Sequence, residues 1–161
     1  MRNQIALSLL LLAAPLHAQP TPGPDDIAAS SLRVSPGACA AGSHTAEGPE
    51  RSDLTKRQSR FYCDSMVSSM VDNQPGHFLV QFLSKGMQHA PILAFGGFFG
   101  RDGLLHVSSI YFEQGIRTPA DDGFCQFFRG KSGKLTAAAC GGVVVKDGVK
   151  SVAIVDFRIA P

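Results

Sequence analysis

Four cysteines have the clearest chemistry in this 161-residue chain. They are Cys39, Cys63, Cys125 and Cys140, and none lies at the close CxxC or CxxH spacing that holds zinc. An even number of cysteines is typical of disulfides when the chain is exported. We therefore predict two disulfides, no metal ion and no cofactor.

The spacing around one turn predicts how the cysteines pair. In a hairpin centred between Ser132 and Gly133, Cys125 and Cys140 lie directly opposite each other. A four-residue loop, 131–134, closed by a hydrogen-bonded Gly130–Leu135 pair, places them at a non-hydrogen-bonded site, where Cβ atoms approach closely enough for a disulfide. The remaining bridge is then Cys39–Cys63, which ties an N-terminal arm to a helix.

Histidines and aromatic residues are the other candidates for a site, although no spacing identifies a catalytic residue. The rings of His77 and His106 approach each other if their strands both flank the strand at 91–99. No two histidines have the four-residue helical spacing of a zinc site, and no Gly-x-Ser-x-Gly elbow accompanies the serines. We select a candidate pocket or surface made of His77, His106, Tyr111, Phe98 and Phe99.

The first 18 residues have the three parts of an export signal. Arg2 gives a positive start, an apolar run covers 5–14, and Ala18 supplies the small residue at the cleavage point. The apolar run is about half of the roughly 20 residues that span a bilayer, so we expect no stable membrane anchor after cleavage. This pattern predicts a periplasmic or secreted protein.

Two further segments follow the signal. Residues 19–48 are rich in Pro, Gly and Ala and predict a loosely packed arm, in which Ile27, Leu32 and Val34 form at most a short strand. Residues 49–161 have the size of one domain. Within it, Cys63, Met66, Val67, Met70 and Val71 recur at helical spacing, which predicts one long helix over 52–73.

After Gly76 the pattern changes to strands. Phe78, Val80 and Phe82 alternate, and Asp102-Gly103 and Asp147-Gly148 each separate two apolar runs, as in β-hairpins. One helix followed by about five or six antiparallel strands predicts an α+β domain with the helix packed on the sheet. In the order of its elements alone, the predicted domain resembles cystatin-like and NTF2-like domains.

Charge and composition restrict the classes of function. There are 15 Lys and Arg against 13 Asp and Glu, with no dense basic stripe, so we expect no nucleic-acid partner. The favoured hypothesis is a non-catalytic binding, inhibitor or accessory protein whose partner is another envelope or secreted protein. The first alternative is a small enzyme or ligand-binding protein with a pocket between helix and sheet. The second is a structural subunit of an exported assembly, built by edge-strand pairing.

The export signal makes a direct prediction about the mature N-terminus. Signal peptidase should cut after Ala18, so mass spectrometry of the exported protein should find a chain that begins at Gln19, either free or as pyroglutamate. An intact Met1 in the exported fraction would contradict it.

Overall fold

The computed structural model describes residues 32–71, 76–84, 92–113 and 116–161, and these form an almost entirely β protein. A single 3-10 turn, Thr55–Arg57, precedes β3. The strands, in chain order, are β1 Arg33–Cys39, β2 His44–Pro49, β3 Gln58–Arg60, β4 Ser65–Met70, β5 His77–Leu83, β6 Leu93–Phe99, β7 Leu105–Glu113, β8 Ile116–Pro119, β9 Asp122–Arg129, β10 Leu135–Lys146 and β11 Val149–Ile159.

Eight of these strands form a closed ring in the order β1-β4-β5-β6-β7-β9-β10-β11, and β11 pairs with β1 again. All of the pairings are antiparallel. Three strands lie outside the ring: β2 pairs with β11, β3 pairs with β2, and β8 pairs with β7. Closure gives every ring strand a hydrogen-bonded partner on both sides over at least part of its length.

Strand β1 closes the ring because its two halves pair with different neighbours. Residues 33–36 pair with β4, and residues 37–39 pair with β11. The change of partner occurs at Pro36-Gly37. A Cβ atom at Gly37 would overlap the carbonyl oxygen of Arg158 and lie 2.5 Å from Cζ of Phe157, so only glycine allows β1 to approach β11 this closely.

Phenylalanine rings fill the inside of the ring. Phe82 contacts Phe157 and Phe95, with ring centroids 5.8 and 6.1 Å apart. Phe78 contacts Phe99 at 5.3 Å, and Phe99 in turn contacts Phe127 at 5.8 Å. These rings meet one another across the interior, so the inside is a packed core made of side chains.

The predicted α+β fold is wrong, because the segment proposed as a long helix contains a 3-10 turn and two strands instead. Asp53 accepts a hydrogen bond from the backbone N–H of Thr55 at 2.9 Å, but the turn that follows ends at Arg57. In β4 both sheet faces are buried, and Ser65, Met66, Val67 and Ser68 are each below 9% exposed. In a strand that is buried on both faces, apolar and polar residues do not alternate. The apolar residues of β4 therefore matched a helical spacing by chance.

Without a long helix, the likeness to cystatin-like and NTF2-like layouts also fails. The pocket proposed between helix and sheet has no helix to form it in the described residues. Strands β1 and β2, which are hydrogen bonded into the sheet, lie within the segment that composition assigned to a loose arm. Val34, expected in a short strand, lies in β1, whereas Ile27 lies outside the described residues.

The strands predicted after Gly76 are present, but the described residues there form seven strands, β5 to β11, rather than five or six. Phe78, Val80 and Phe82 are fully buried on the inner face of β5. Both Asp-Gly pairs form turns, but they differ in conformation. Asp147 and Gly148 both have positive φ, at 52° and 75°, whereas at the other turn only Gly103 does, at 77°.

The predicted disulfide Cys125–Cys140 is present, and the two residues are direct partners in the β9–β10 register with Cα atoms 4.0 Å apart. The turn is built differently from the prediction, because Gly130 N–H donates to the carbonyl of Lys134 rather than pairing with Leu135. A β-bulge between Leu135 and Ala137 then restores the register that brings the cysteines together.

The second predicted disulfide, Cys39–Cys63, is also present, with Cα atoms 5.1 Å apart. Cys39 ends β1, and its N–H donates to the carbonyl of Cys63 at 3.0 Å. The expected helical setting of Cys63 is wrong, since this residue lies in the segment between β3 and β4. The bridge therefore fixes the end of the strand that closes the ring.

The hairpin disulfide should contribute measurable stability. Its cysteines are 15 residues apart, and the chain-entropy model gives about 3 kcal/mol for a loop of that size. Replacing Cys125 and Cys140 together by alanine should lower the free energy of unfolding in urea by about 2–4 kcal/mol. A loss below about 0.5 kcal/mol, or peptide mapping that pairs Cys63 with either residue, would contradict this assignment.

Candidate functional site

The register of the ring places five residues in one line across its outer face. Direct partners run from Phe98 on β6 to His106 on β7, Phe124 on β9, Gly141 on β10 and Ile154 on β11. Their chain neighbours, including Phe99, Leu105 and Cys125, point inward and are part of or packed against the core. We call Phe98, His106, Phe124, Gly141 and Ile154 the outer belt.

The outer belt exposes large apolar side chains. Phe124 is 50% exposed, Phe98 47% and Ile154 40%. Phe128 lies four positions after Phe124 on the same face of β9 and is also exposed. Single exposed apolar residues are ordinary, but several aligned on neighbouring strands make this face the candidate interaction surface.

A shallow trough lies within the belt at Gly141. A Cβ atom placed there would have one neighbour within 4 Å, the carbonyl oxygen of Ala153 at 3.8 Å. Phe124 and Ile154 lie on the two strands that flank Gly141, about 9–10 Å apart by strand spacing. Gly141 therefore leaves the surface between these two apolar side chains uncovered by a side chain of its own.

Acidic groups border the belt. Asp122 lies two positions before Phe124, and Asp156 lies two positions after Ile154. Asp102 stands beside His106, with its Oδ2 atom 3.0 Å from Nε2 of the ring. A hydrogen bond from the backbone N–H of Leu104 holds the pKa of Asp102 below its usual value, and His106 acts in the same direction. Oδ2 of Asp156 forms an ion pair with Nη2 of Arg158 at 3.2 Å.

The structure separates the two histidines that the sequence suggested might meet. Both of their strands flank β6, as expected, but His77 and His106 are each the direct partner of Phe98, which stands between them. His106 is exposed, whereas His77 is buried. They do not form a joint site.

His77 is a buried histidine. The residue is 2% exposed, and neither ring nitrogen has a hydrogen-bond partner among the residues that the structure describes. Its ring meets the edge of Phe98 at 5.0 Å, and a Cβ atom at Gly96 would lie 2.9 Å from its Cε1 and 2.8 Å from the hydroxyl of Ser109. Burial lowers the pKa of His77, and the charge of Arg117 lowers it further.

The remaining candidate residues, Tyr111 and Phe99, lie outside the outer belt. Tyr111 is half-buried on the outer face, where it pairs with Ala94, away from the belt. Phe99 points inward and packs against Phe78 and Phe127. Of the five residues selected from sequence, only Phe98 and His106 therefore belong to the belt.

Sequence reasoning missed Phe124, Gly141 and Ile154 as parts of one surface. The signal for Phe124 was present, because it alternates with the inward-facing Cys125 that the disulfide prediction already fixed. Ile154 could likewise be assigned to the outer face from the alternation of β11. Their alignment depends on the register across the strands, which a single sequence does not show.

Other kinds of site are not seen in the described residues. No group of three or more His, Cys, Asp or Glu in them is arranged to hold a metal ion. Within the same ranges, no helix is long and apolar enough to cross a membrane. His89 and the predicted signal peptide lie outside these ranges.

Comparison of the chain with protein-family models, with curated proteins and with solved structures gives no match. The surface and its chemistry are therefore the basis for inferring function.

The buried His77 predicts a pH dependence of stability. Its pKa is lowered on folding, so at pH values between the folded pKa and about 6.5 the unfolded chain binds the extra proton. The free energy of unfolding should fall as the pH drops below about 6.5, by at most about 1.4 kcal/mol per pH unit from this residue.

The variant His77→Phe should reduce this slope in urea titrations, because it removes the titrating group while keeping an aromatic ring beside Phe98. His106→Asn keeps His77 and serves as the matched control. An unchanged slope in His77→Phe would refute the role given to burial.

Proposed function

We propose that this chain is an exported, non-catalytic binding protein that docks on another exported protein through the outer belt. Two disulfides connect Cys39 with Cys63 and Cys125 with Cys140, as in proteins stabilised for an oxidising, extracytoplasmic location. The export signal read from sequence fits the same location. The aligned exposure of Phe98, Phe124 and Ile154 is the observation that carries the proposal.

The surface favours a protein partner of particular chemistry. Its centre presents Phe124 beside the open trough at Gly141, and aromatic residues of this kind are enriched at the energetic centres of protein interfaces. Asp102 and Asp122 on the border disfavour a polyanion and complement basic groups, whereas the charge of Asp156 is paired with Arg158. The partner is therefore expected to present an apolar patch that is flanked by Lys or Arg.

The packed interior supports binding at the outer surface. The fully buried rings of Phe78, Phe82, Phe95 and Phe157 occupy the inside of the ring. Strand edges offer little alternative in the described ranges, since the strands outside the ring with a free edge, β3 and β8, have three and four residues. Assembly by long edge-strand pairing is accordingly disfavoured.

The proposal is tested by comparing two surface variants. Phe124→Ser removes the central ring, and Val149→Ser removes a similarly exposed apolar side chain at the β10–β11 turn as a matched control. Tagged proteins are recovered from the exported fraction, and a partner found with the parent chain is purified for titration. Loss of a central aromatic anchor should weaken its Kd at least about tenfold, whereas the control should stay within about twofold.

A basic-flanked partner should also bind more weakly as salt rises, because the acidic border contributes through screened charges. Equal affinity of the parent and Phe124→Ser would overturn the proposal. So would dimerisation of this chain that Phe124→Ser abolishes, since the belt would then bind a second copy. Binding to neutral or anionic lipid vesicles through Phe124 would overturn it as well.

A further inference from the structure

A polar cleft lies away from the outer belt, where the sheet extends beyond the ring. Strand β11 pairs with β1 through residues 157–159, but through residues 149–154 it pairs with β2, which in turn pairs with β3. The inner face of this extension continues the face that carries the buried Ala153. By strand register, that face carries Thr45, Glu47, Ser59 and Ser151.

Residues from two other elements complete the cleft. Phe112 of β7 contributes an aromatic wall and is partly buried against the core. Arg57 is the last residue of the 3-10 turn, and its backbone N–H donates to the carbonyl of Leu54 at 2.9 Å. Leu54 is buried, and the Arg57 stem runs close over Gly48, where a Cβ atom would lie 3.1 Å from Cδ of the arginine. The turn therefore places Arg57 at the rim of the cleft.

The cleft has about 310 Å³ of space, at the lower end of the range for small-molecule sites. Its polar groups comprise one carboxylate, one guanidinium and three hydroxyls. Oε2 of Glu47 accepts a hydrogen bond from the Ser151 hydroxyl at 3.2 Å, which orients the carboxylate along the strand. The other carboxylate oxygen and the guanidinium of Arg57 remain available for a ligand.

We infer that this cleft binds a neutral polyhydroxylated ligand, namely a monosaccharide or the terminal sugar of a glycan. Glu47 accepts hydrogen bonds from ligand hydroxyls, Arg57 donates to ligand oxygens, and the Thr45, Ser59 and Ser151 hydroxyls do both. Phe112 offers an apolar surface to the C–H groups of a sugar ring. The charges of Glu47 and Arg57 cancel, so no net charge is required of the ligand.

This set of groups favours a sugar over a charged metabolite. A phosphorylated ligand would bring its negative charge close to Glu47, and among the described residues that line the cleft Arg57 is the one cation. A purely apolar ligand would make no hydrogen bond to Glu47, Arg57 or the three hydroxyls that line the cleft. Hydroxyl groups that both donate and accept match the mixed donors and acceptors present.

The experiment is an NMR titration of the isotopically labelled full mature chain with glucose, galactose, mannose and N-acetylglucosamine, and with glycine as a zwitterionic comparison. At least one sugar should shift the amide signals of Glu47, Ser59 and Ser151 in a saturable way. Glu47→Ala and Arg57→Ala should each weaken that binding at least about fivefold, because each removes charge-assisted hydrogen bonds.

Glu50→Ala is the matched control, since Glu50 is an exposed carboxylate on the neighbouring loop and does not line the cleft. It should leave the affinity within about twofold. A retained amide spectrum shows that each variant is folded. The inference is overturned if no sugar shifts these signals, if glycine binds there in place of the sugars, or if Glu47→Ala and Arg57→Ala bind as tightly as Glu50→Ala.

Discussion

The closure of the ring by β1 is the interaction on which the other features depend. This strand hydrogen bonds to β4 with its first half and to β11 with its second, and Gly37 permits the close approach to Phe157. The Cys39–Cys63 bridge fixes the end of the same strand. Because closure turns one face of every ring strand inward, it separates a core of phenylalanines from an outer surface on which the belt is displayed.

The ring also explains why binding is expected outside it. Eight strands enclose a space just wide enough for side chains, and here the rings of Phe78, Phe82, Phe95 and Phe157 occupy it. Where β2 and β3 extend past the closed part, the inner face is no longer covered and becomes polar. The outer belt and the polar cleft are therefore two consequences of one topology, with apolar residues exposed on the first and hydroxyls and charges on the second.

Local patterns predicted the hairpins and the Cys125–Cys140 disulfide, because these depend on residues near in sequence, and Cys39–Cys63 followed as the pair that remained. The alternation at Phe78, Val80 and Phe82 and the opposition of Cys125 and Cys140 were sufficient. The helix was wrong because β4 is buried on both faces, which erases the two-residue period that identifies a strand. Of the belt, sequence selected Phe98 and His106, while the alignment of Phe124 and Ile154 required pairings between distant segments. The sequence allowed His77 and His106 to approach each other if their strands flanked β6. The strands do flank it, but Phe98 is directly opposite both residues and keeps the rings apart.

The most direct test of this account is to measure inter-strand contacts of β1 by nuclear Overhauser effects in the labelled protein. The ring requires backbone contacts between Val34 and Val67 and, in the same molecule, between Ala38 and Arg158. We predict that both sets are observed with comparable intensity under native conditions. Contacts from Val34 to Val67 without those from Ala38 to Arg158 would mean that the sheet is open, and would contradict the account.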